Sequence, residues 1–343
     1  MSRKLLALLI TLLLPAILHA GEAPSEADSL KTRITRAAGK VERFLIKRQQ
    51  RQNTDTNYIY KPQQKWLFRT RSDIVASFLE FHNEHPYVTD FGMDLKSRPI
   101  FRQNFGVGYR GIILDVGIAI PFKNQDKEMS LNIFTAPAGG EITYGRIGSL
   151  AGTTTIGGII YDVAPGILPV RYIRLGGYYA FNWKKSSLAA AMNQTFIQRK
   201  SAGTPIISAS FRALWGSFHA NSDPSSPAAF NNRNFFVGVG GGYAYNWVPS
   251  EHWLIHISAT ETFGLFGLSR FDVSGNTIKF RQRFLPLLTA ANASVTYYYK
   301  RFYIGVYGKF DNLFIPTREK HSKEDVYLSQ SRISGHLTLG FRL

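Results

Sequence analysis

Long stretches in which apolar and polar residues alternate run through most of this 343-residue chain, and they leave few folds open. In 332–343, Ile333, Leu337, Leu339, Phe341 and Leu343 share one face, while Arg332, Ser334, His336, Thr338, Gly340 and Arg342 share the other. Phe235, Val237, Val239, Gly241, Tyr243, Tyr245 and Trp247 repeat the pattern, as do Ile173, Leu175, Gly177, Tyr179, Phe181 and Trp183. Ile112, Leu114, Val116, Ile118 and Ile120 follow it too, with shorter versions at Trp253, Ile255 and Ile257 and at Phe302, Ile304 and Val306. A period of two is a strand period, because successive side chains point to opposite faces. Most segments run roughly 10–16 residues, against about five or six for soluble strands and about nine to eleven for crossing hydrocarbon. One face is apolar and the other is rich in Gly, Ser, Thr, Asn and Arg, the arrangement expected when lipid lies outside and a polar lumen within.

The pattern predicts an all-β membrane protein, an antiparallel transmembrane β-barrel occupying 61–343. About 12 strands are expected, at 66–81, 99–109, 111–121, 129–147, 169–183, 187–198, 204–215, 233–247, 252–267, 284–299, 301–315 and 326–343. Ala136–Gly140 and Gly148–Thr155 interrupt the alternation, and re-splitting 129–168 into shorter strands raises the count to 14. Connections alternate in length: Pro316–Asp325, Leu268–Arg283 and Gly216–Arg233 are long, whereas Lys300, Val248–Glu251 and Lys200–Thr204 are short. Membrane barrels pair short periplasmic turns with long outer loops, so the C-terminus is expected in the periplasm. Tyr297, Tyr299, Trp247, Trp253 and Trp183 sit near strand ends, as an interfacial girdle requires. A soluble β-sandwich or lipocalin-like barrel is the alternative.

Arg3 and Lys4 precede an apolar run from Leu5 to Leu18, with Ala20 available for cleavage. The run is shorter than the roughly 20 residues that span a bilayer as a helix, so 1–20 is expected to be a signal peptide that is removed. Residues 21–60 are expected to form a periplasmic amphipathic helix and linker. Leu30, Ile34, Ala37, Val41 and Phe44 recur at helical steps, opposite Lys31, Arg33, Arg36, Lys40, Arg43, Lys47, Arg48 and Arg51. A charge of +18 suits contact with an anionic surface, and export makes nucleic acid an improbable partner. Expected partners are outer-membrane lipid, lipopolysaccharide, and a periplasmic or envelope protein met through 25–52. The absence of Cys excludes disulfides, thiolate metal sites and Cys nucleophiles together.

DTNYIYKPQQKWLFR (55–69), AAAMNQTFIQRKSAG (189–203), GGGYAYNWVPSEHW (240–253) and VTYYYKRFYIGVYG (295–308) resemble blocks of the domain-of-unknown-function 4421 family found in Bacteroidota. The resemblance covers about 55–343 and implies an outer-membrane barrel, in which 189–203 would form an alanine-rich strand. It implies no activity, cofactor or site residue.

Strand parity assigns Arg69, Arg71, Asp115, Arg174, Arg212, His256, Lys309 and Arg332 to the lumen, with Asp115 the main acid. Such a lumen favours anionic solutes. His256 and Ser258 have the His-x-Ser spacing of lipid A deacylases, but parity turns them away from lipid, and Glu261 has the wrong parity to orient the imidazole. His82 and His85 beside Glu80, Glu84 and Asp90 read as a solvated loop, so neither a metal site nor a cofactor is expected. The expected function is a Gram-negative outer-membrane barrel acting as a narrow channel or solute-binding barrel with a basic, anion-preferring lumen. A structural or partner-binding barrel is the alternative. A lipid-modifying hydrolase is a third and least supported reading, and enzymatic activity is not favoured.

Overall fold

The computed structural model describes Gly39, Arg43, Lys47 and residues 53–83, 91–120, 126–156, 158–219, 229–273, 276–282, 285–319 and 325–343. The chain divides into two units, Met1–Asn53 and Thr54–Leu343. In the first, Gly39, Arg43 and Lys47 are helical, and Arg43 Nε donates to the Gly39 carbonyl at 3.3 Å. The expected signal peptide and the rest of the 25–52 helix lie outside the described residues. Among those described, no helix is long and apolar enough to cross a membrane, which says nothing of strands.

The second unit is a closed barrel of 12 antiparallel strands. In chain order they are β1 (Trp66–Asn83), β2 (Ile100–Tyr109), β3 (Ile112–Ile120), β4 (Lys127–Phe134), β5 (Ala138–Ile147) and β6 (Val170–Ala180), then β7 (Ala202–His219), β8 (Ala229–Ser250), β9 (Trp253–Val273), β10 (Leu287–Tyr299), β11 (Phe302–Glu319) and β12 (Asp325–Arg342). Each pairs with its chain neighbours, and β12 returns to β1 from Val326↔Asn83 to Arg342↔Leu67. Trp66 and Leu343 exchange backbone hydrogen bonds of 2.9 Å at the seam. Closure leaves the wall without an unpaired edge. The end where Trp66 and Leu343 meet is called proximal here, and the opposite end distal.

Four of the five proximal connections are tight turns, and the fifth, 181–201, is long. Arg110 (φ 49°) and Gly111 (φ 88°) both take the left-handed conformation that a two-residue hairpin needs between right-twisting strands. At Thr135–Pro137 the chain reverses again: Thr135 N donates to the Ala138 carbonyl at 2.7 Å, and Thr135 Oγ1 accepts from Ala138 N at 2.8 Å. This turn corrects the single strand expected at 129–147, which is instead β4 and β5. The other interrupted stretch forms Leu150–Ile156 and Ile159–Val163, which pair with each other and, through Phe91–Ser97, with the distal part of β1.

Residues 187–198 overturn a second expectation, since they do not form a wall strand. Ser187 caps a short helix, α1 (Leu188–Met192), by accepting from Ala190 N at 3.1 Å. Alanine has the highest helix propensity, and a serine cap followed by Leu-Ala-Ala-Ala-Met is a helix-start signal. Ile197–Gln198 then pairs with Ile59–Tyr60. The segment 54–60, expected to be linker, is therefore built into the barrel unit. One expected strand is lost and one gained, so the total stays at 12.

The interior is layered. Distally, inward side chains including Leu79, Phe81, Leu95, Phe218, Phe236 and Ile315 meet in one buried apolar cluster. Proximally, Ala189, Ala190 and Ala191 pack with Ile59, Ile113, Phe196 and Leu254 in another. The proximal plug is also tethered: Arg342 Nη2 donates to the Gln194 carbonyl at 2.7 Å, and Tyr298 OH to the Ala190 carbonyl at 3.1 Å. Outside, the order is inverted. Phe105, Ile257, Leu265 and Val306 are 65%, 64%, 67% and 58% exposed, part of an apolar belt that every strand contributes to. A continuous belt of that size is a lipid-facing surface.

Candidate functional site

Between the two apolar clusters lies a polar layer. Arg69, Gly106 and Asp115 are register partners on β1, β2 and β3. Across that row Arg69 forks onto Asp115, Nε to Oδ1 at 2.8 Å and Nη2 to Oδ2 at 2.5 Å. A Cβ on Gly106 would come within 2.2 Å of Asp115 Oδ1, so the fork closes only over a glycine. Gly106→Ala is expected to destabilise the barrel by about 1–3 kcal/mol, the cost of forcing a packed interior apart. Urea titration in lipid vesicles measures it, and an unchanged midpoint contradicts it.

The other charges are shared. Asp73 takes Arg71 at 2.9 Å, Arg102 at 3.9 Å and the Asn104 amide at 2.8 Å. Glu128 takes Arg102 at 2.9 Å, Arg332 at 2.8 Å and the Tyr172 hydroxyl. Asp311 takes Arg212 at 2.5 Å and Arg174 at 3.5 Å. Lys309 faces Glu141 at 3.7 Å, the loosest and most accessible of these pairs, with side chains 38% and 39% exposed. Among the described residues, seven basic side chains thus share five carboxylates in this layer.

Arg69, Arg71, Asp115, Arg174, Arg212, Lys309 and Arg332 all belong to this layer. Asp115 is not its main acid, because Asp73, Glu128, Glu141 and Asp311 share that role. Two of the four were legible: Asp73 is two residues beyond Arg71 and Asp311 two beyond Lys309, each on the parity of its neighbour. Glu128 and Glu141 fell where strand boundaries were misread. The layer lines a cavity of about 260 Å³ reached by Lys309, Arg71, Arg212, Ser258, Asn292 and, from the 181–201 connection, Met192.

His256 is buried on the inner face of β9. Its Nδ1 is 2.7 Å from Asn246 Oδ1 and its Nε2 is 3.1 Å from Ser258 Oγ. Asn246 is its register partner on β8. Glu261 points outward, where Thr289 Oγ1 donates to it at 2.8 Å. Among the described residues no group of His, Asp and Glu could hold a metal ion, and Glu84, His85 and Asp90 lie outside them.

Several solved structures resemble the chain distantly. The outer membrane protein OmpT of Vibrio cholerae matches with 8% identity and a TM-score of 0.29, over 81% of this chain and 97% of its own. The toluene transporter TodX of Pseudomonas putida matches with 9% identity and a TM-score of 0.32, over 85% and 93%. The COG4313 outer membrane channel of Pseudomonas putida F1 matches with 11% identity and a TM-score of 0.35, over 84% and 99%. No curated protein matches. The family model for the domain of unknown function DUF4421 matches residues 161–343, from the end of the distal hairpin to the C-terminus. The chain belongs to the DUF4421 family.

Proposed function

We propose that this chain is an outer-membrane barrel, proximal end in the periplasm, that holds a small anionic solute in its interior chamber. The apolar belt supports the membrane assignment. Four short turns among the five proximal connections support the orientation, because short turns are periplasmic in such barrels. One observation carries the solute reading: a layer in which seven basic side chains share five carboxylates lines a cavity of about 260 Å³ between two packed apolar clusters. A conducting pore needs a continuous water path, and packed apolar layers above and below the chamber oppose one. This reading therefore favours binding over the alternative of a narrow open channel.

Planar-bilayer recording of the full chain is expected to show no steady conductance. Small mono- and dianions are expected to raise the temperature at which the folded barrel loses its heat-modifiable mobility. Matched cations are expected to leave it unchanged, and Lys309→Met to abolish the anion response. A steady open level, or equal responses to anions and cations, overturns the reading.

A further inference from the structure

We propose that Ser258 is the nucleophile of an acyl-transfer site inside the barrel, with His256 as its base and Asn246 as the residue that orients the imidazole. The proposal rests on the chamber reading and names the substrate class for that chamber.

A chain of fixed amides leads from the plug to Ser258. Gln198 Nε2 donates to the carbonyls of Lys185 at 2.6 Å and Lys200 at 2.9 Å. Its Oε1 is thereby turned to accept from Ser187 N at 2.9 Å and from Asn246 Nδ2 at 3.2 Å. Asn246 Nδ2 also donates to the Ser187 carbonyl at 3.0 Å. With its amide nitrogen so committed, Asn246 can present only Oδ1 to His256. That oxygen accepts and cannot donate, so the proton sits on His256 Nδ1. Nε2 is left as an acceptor, and Ser258 donates its hydroxyl to it. This is the tautomer that lets an imidazole take a serine proton, with the orienting group on the far nitrogen.

The same rung supplies the rest. Ser258 is register partner to Asn292 on β10, and Asn292 to Lys309 on β11. Asn292 Nδ2 lies 3.4 Å from Ser258 Oγ, placed to donate to an oxyanion formed on a carbonyl above the serine. Lys309 stands two strand spacings from Ser258, roughly 10 Å. All three reach the chamber. The fitting substrate is a small ester or thioester with a carboxylate or phosphate roughly 10 Å from its carbonyl. Membrane lipids are excluded by the inward parity of Ser258. The chamber of about 260 Å³ lies just below ordinary ligand pockets, which begin near about 300 Å³, so the acyl group is short.

The Ser258 oxygen adds to the carbonyl carbon as its proton passes to His256 Nε2. The bond to the leaving alcohol or thiol then breaks, and the leaving group takes that proton. Water adds to the acyl-serine ester, giving a proton to His256. The Ser258 oxygen departs with it, releasing the free acid. No redox partner is needed.

The test uses the full chain folded in detergent, its fold checked by heat-modifiable mobility. Phenylmethylsulfonyl fluoride is the probe, and peptide mass spectrometry locates the adduct. One sulfonyl group on Ser258 is expected, with none in Ser258→Ala. The labelling rate is expected to fall about 100-fold or more in His256→Gln, the usual worth of a positioned base. Asn246→Leu is expected to slow it with a matching change in its pH profile, which a merely structural asparagine would not cause. Hydrolysis of a p-nitrophenyl hemisuccinate is expected to exceed that of the neutral acetate, and Lys309→Met to erase that preference. Met192→Ala opens the plug side of the chamber, so an unlabelled Ser258 in both wild type and this variant, each folded, overturns the nucleophile. Anion-dependent stabilisation without labelling overturns the catalytic proposal and leaves the binding reading standing. Labelling without any preference for the anionic ester overturns the proposed substrate class, while equal stabilisation by anions and cations overturns the binding reading.

Discussion

Replacing Glu128 by leucine is expected to destabilise the barrel by about 3–5 kcal/mol, the cost of stranding buried charges by removing their partner. Glu128 is 9% exposed and is the meeting point of Arg102, Arg332 and Tyr172 from three other strands, β2, β12 and β6. Its removal leaves two guanidiniums facing one another with no carboxylate between them. Arg102 keeps only its longer contact of 3.9 Å to Asp73. With a urea slope of about 1–3 kcal/mol per molar, the unfolding midpoint should fall by about 1 M or more. Removing one of the stranded cations as well, in Glu128→Leu/Arg332→Met, should recover part of the loss, because less charge is then left buried unpaired. Tryptophan fluorescence during urea titration in lipid vesicles reads both numbers. A single variant within error of wild type would mean that water, not protein, neutralises these arginines.

The second large effect concerns the outside. Ile257→Arg is expected to cost about 2–4 kcal/mol in a bilayer, the penalty for an arginine at the midplane of a barrel's lipid face. Ile257 is 64% exposed and lies four residues along β9 from Trp253, whose ring contacts Tyr297 at 5.0 Å between centroids. With a rise of about 3.3 Å per residue and a tilt near about 40°, it sits roughly 10 Å above that aromatic pair, close to the centre of a belt about 25 Å tall. On a water-soluble protein, an arginine at so exposed a position would be nearly neutral. The sign of the result therefore decides what the belt touches. Glu251→Arg, in the proximal turn, serves as the control and should leave the midpoint where it was. Equal stability of the two variants would remove the membrane from the account.

The inner and outer faces were legible in the sequence because alternation is a local property. Parity alone placed Arg69, Asp115 and Arg332 together with His256 on one side of the wall, and Ile257 and Val306 on the other. The count of 12 was reached by two errors that cancel. The alanine-rich stretch expected as a wall strand is a helix announced by Ser187, and the interruption at Ala136–Gly140, given as the alternative split of 129–168, is a turn between two strands. A period of two cannot tell a helix that starts on alanines from a strand, because alanine fits either pattern. Asn246 was not legible as the partner of His256. The sequence places the turn at 248–251, which would set Asn246 opposite Trp253; the chain instead turns at 251–252, and a bulge between Trp247 and Ser250 brings Asn246 opposite His256. A partner across a hairpin is found by pairing strands, not by reading along one.

What the sequence by itself determined is the wall: strands of membrane-crossing length, an apolar outer face, and connections that, apart from 181–201, are short at one end and long at the other. These follow from the spacing of residues along the chain and need no knowledge of what lies across the barrel. The contents of the barrel were decided only by closure. Which carboxylate meets which arginine, and whether 181–201 forms wall or plug, depends on residues far apart in sequence: Arg332 on β12 reaches Glu128 four strands around the ring on β4, and Arg342 reaches Gln194. Ring closure fixes those distances, and burial makes each charge take the partner that the ring supplies. The expected basic lumen thus became a chamber in which most of the positive charge is already shared, and the inward-facing His256 acquired its orienting partner from the neighbouring strand.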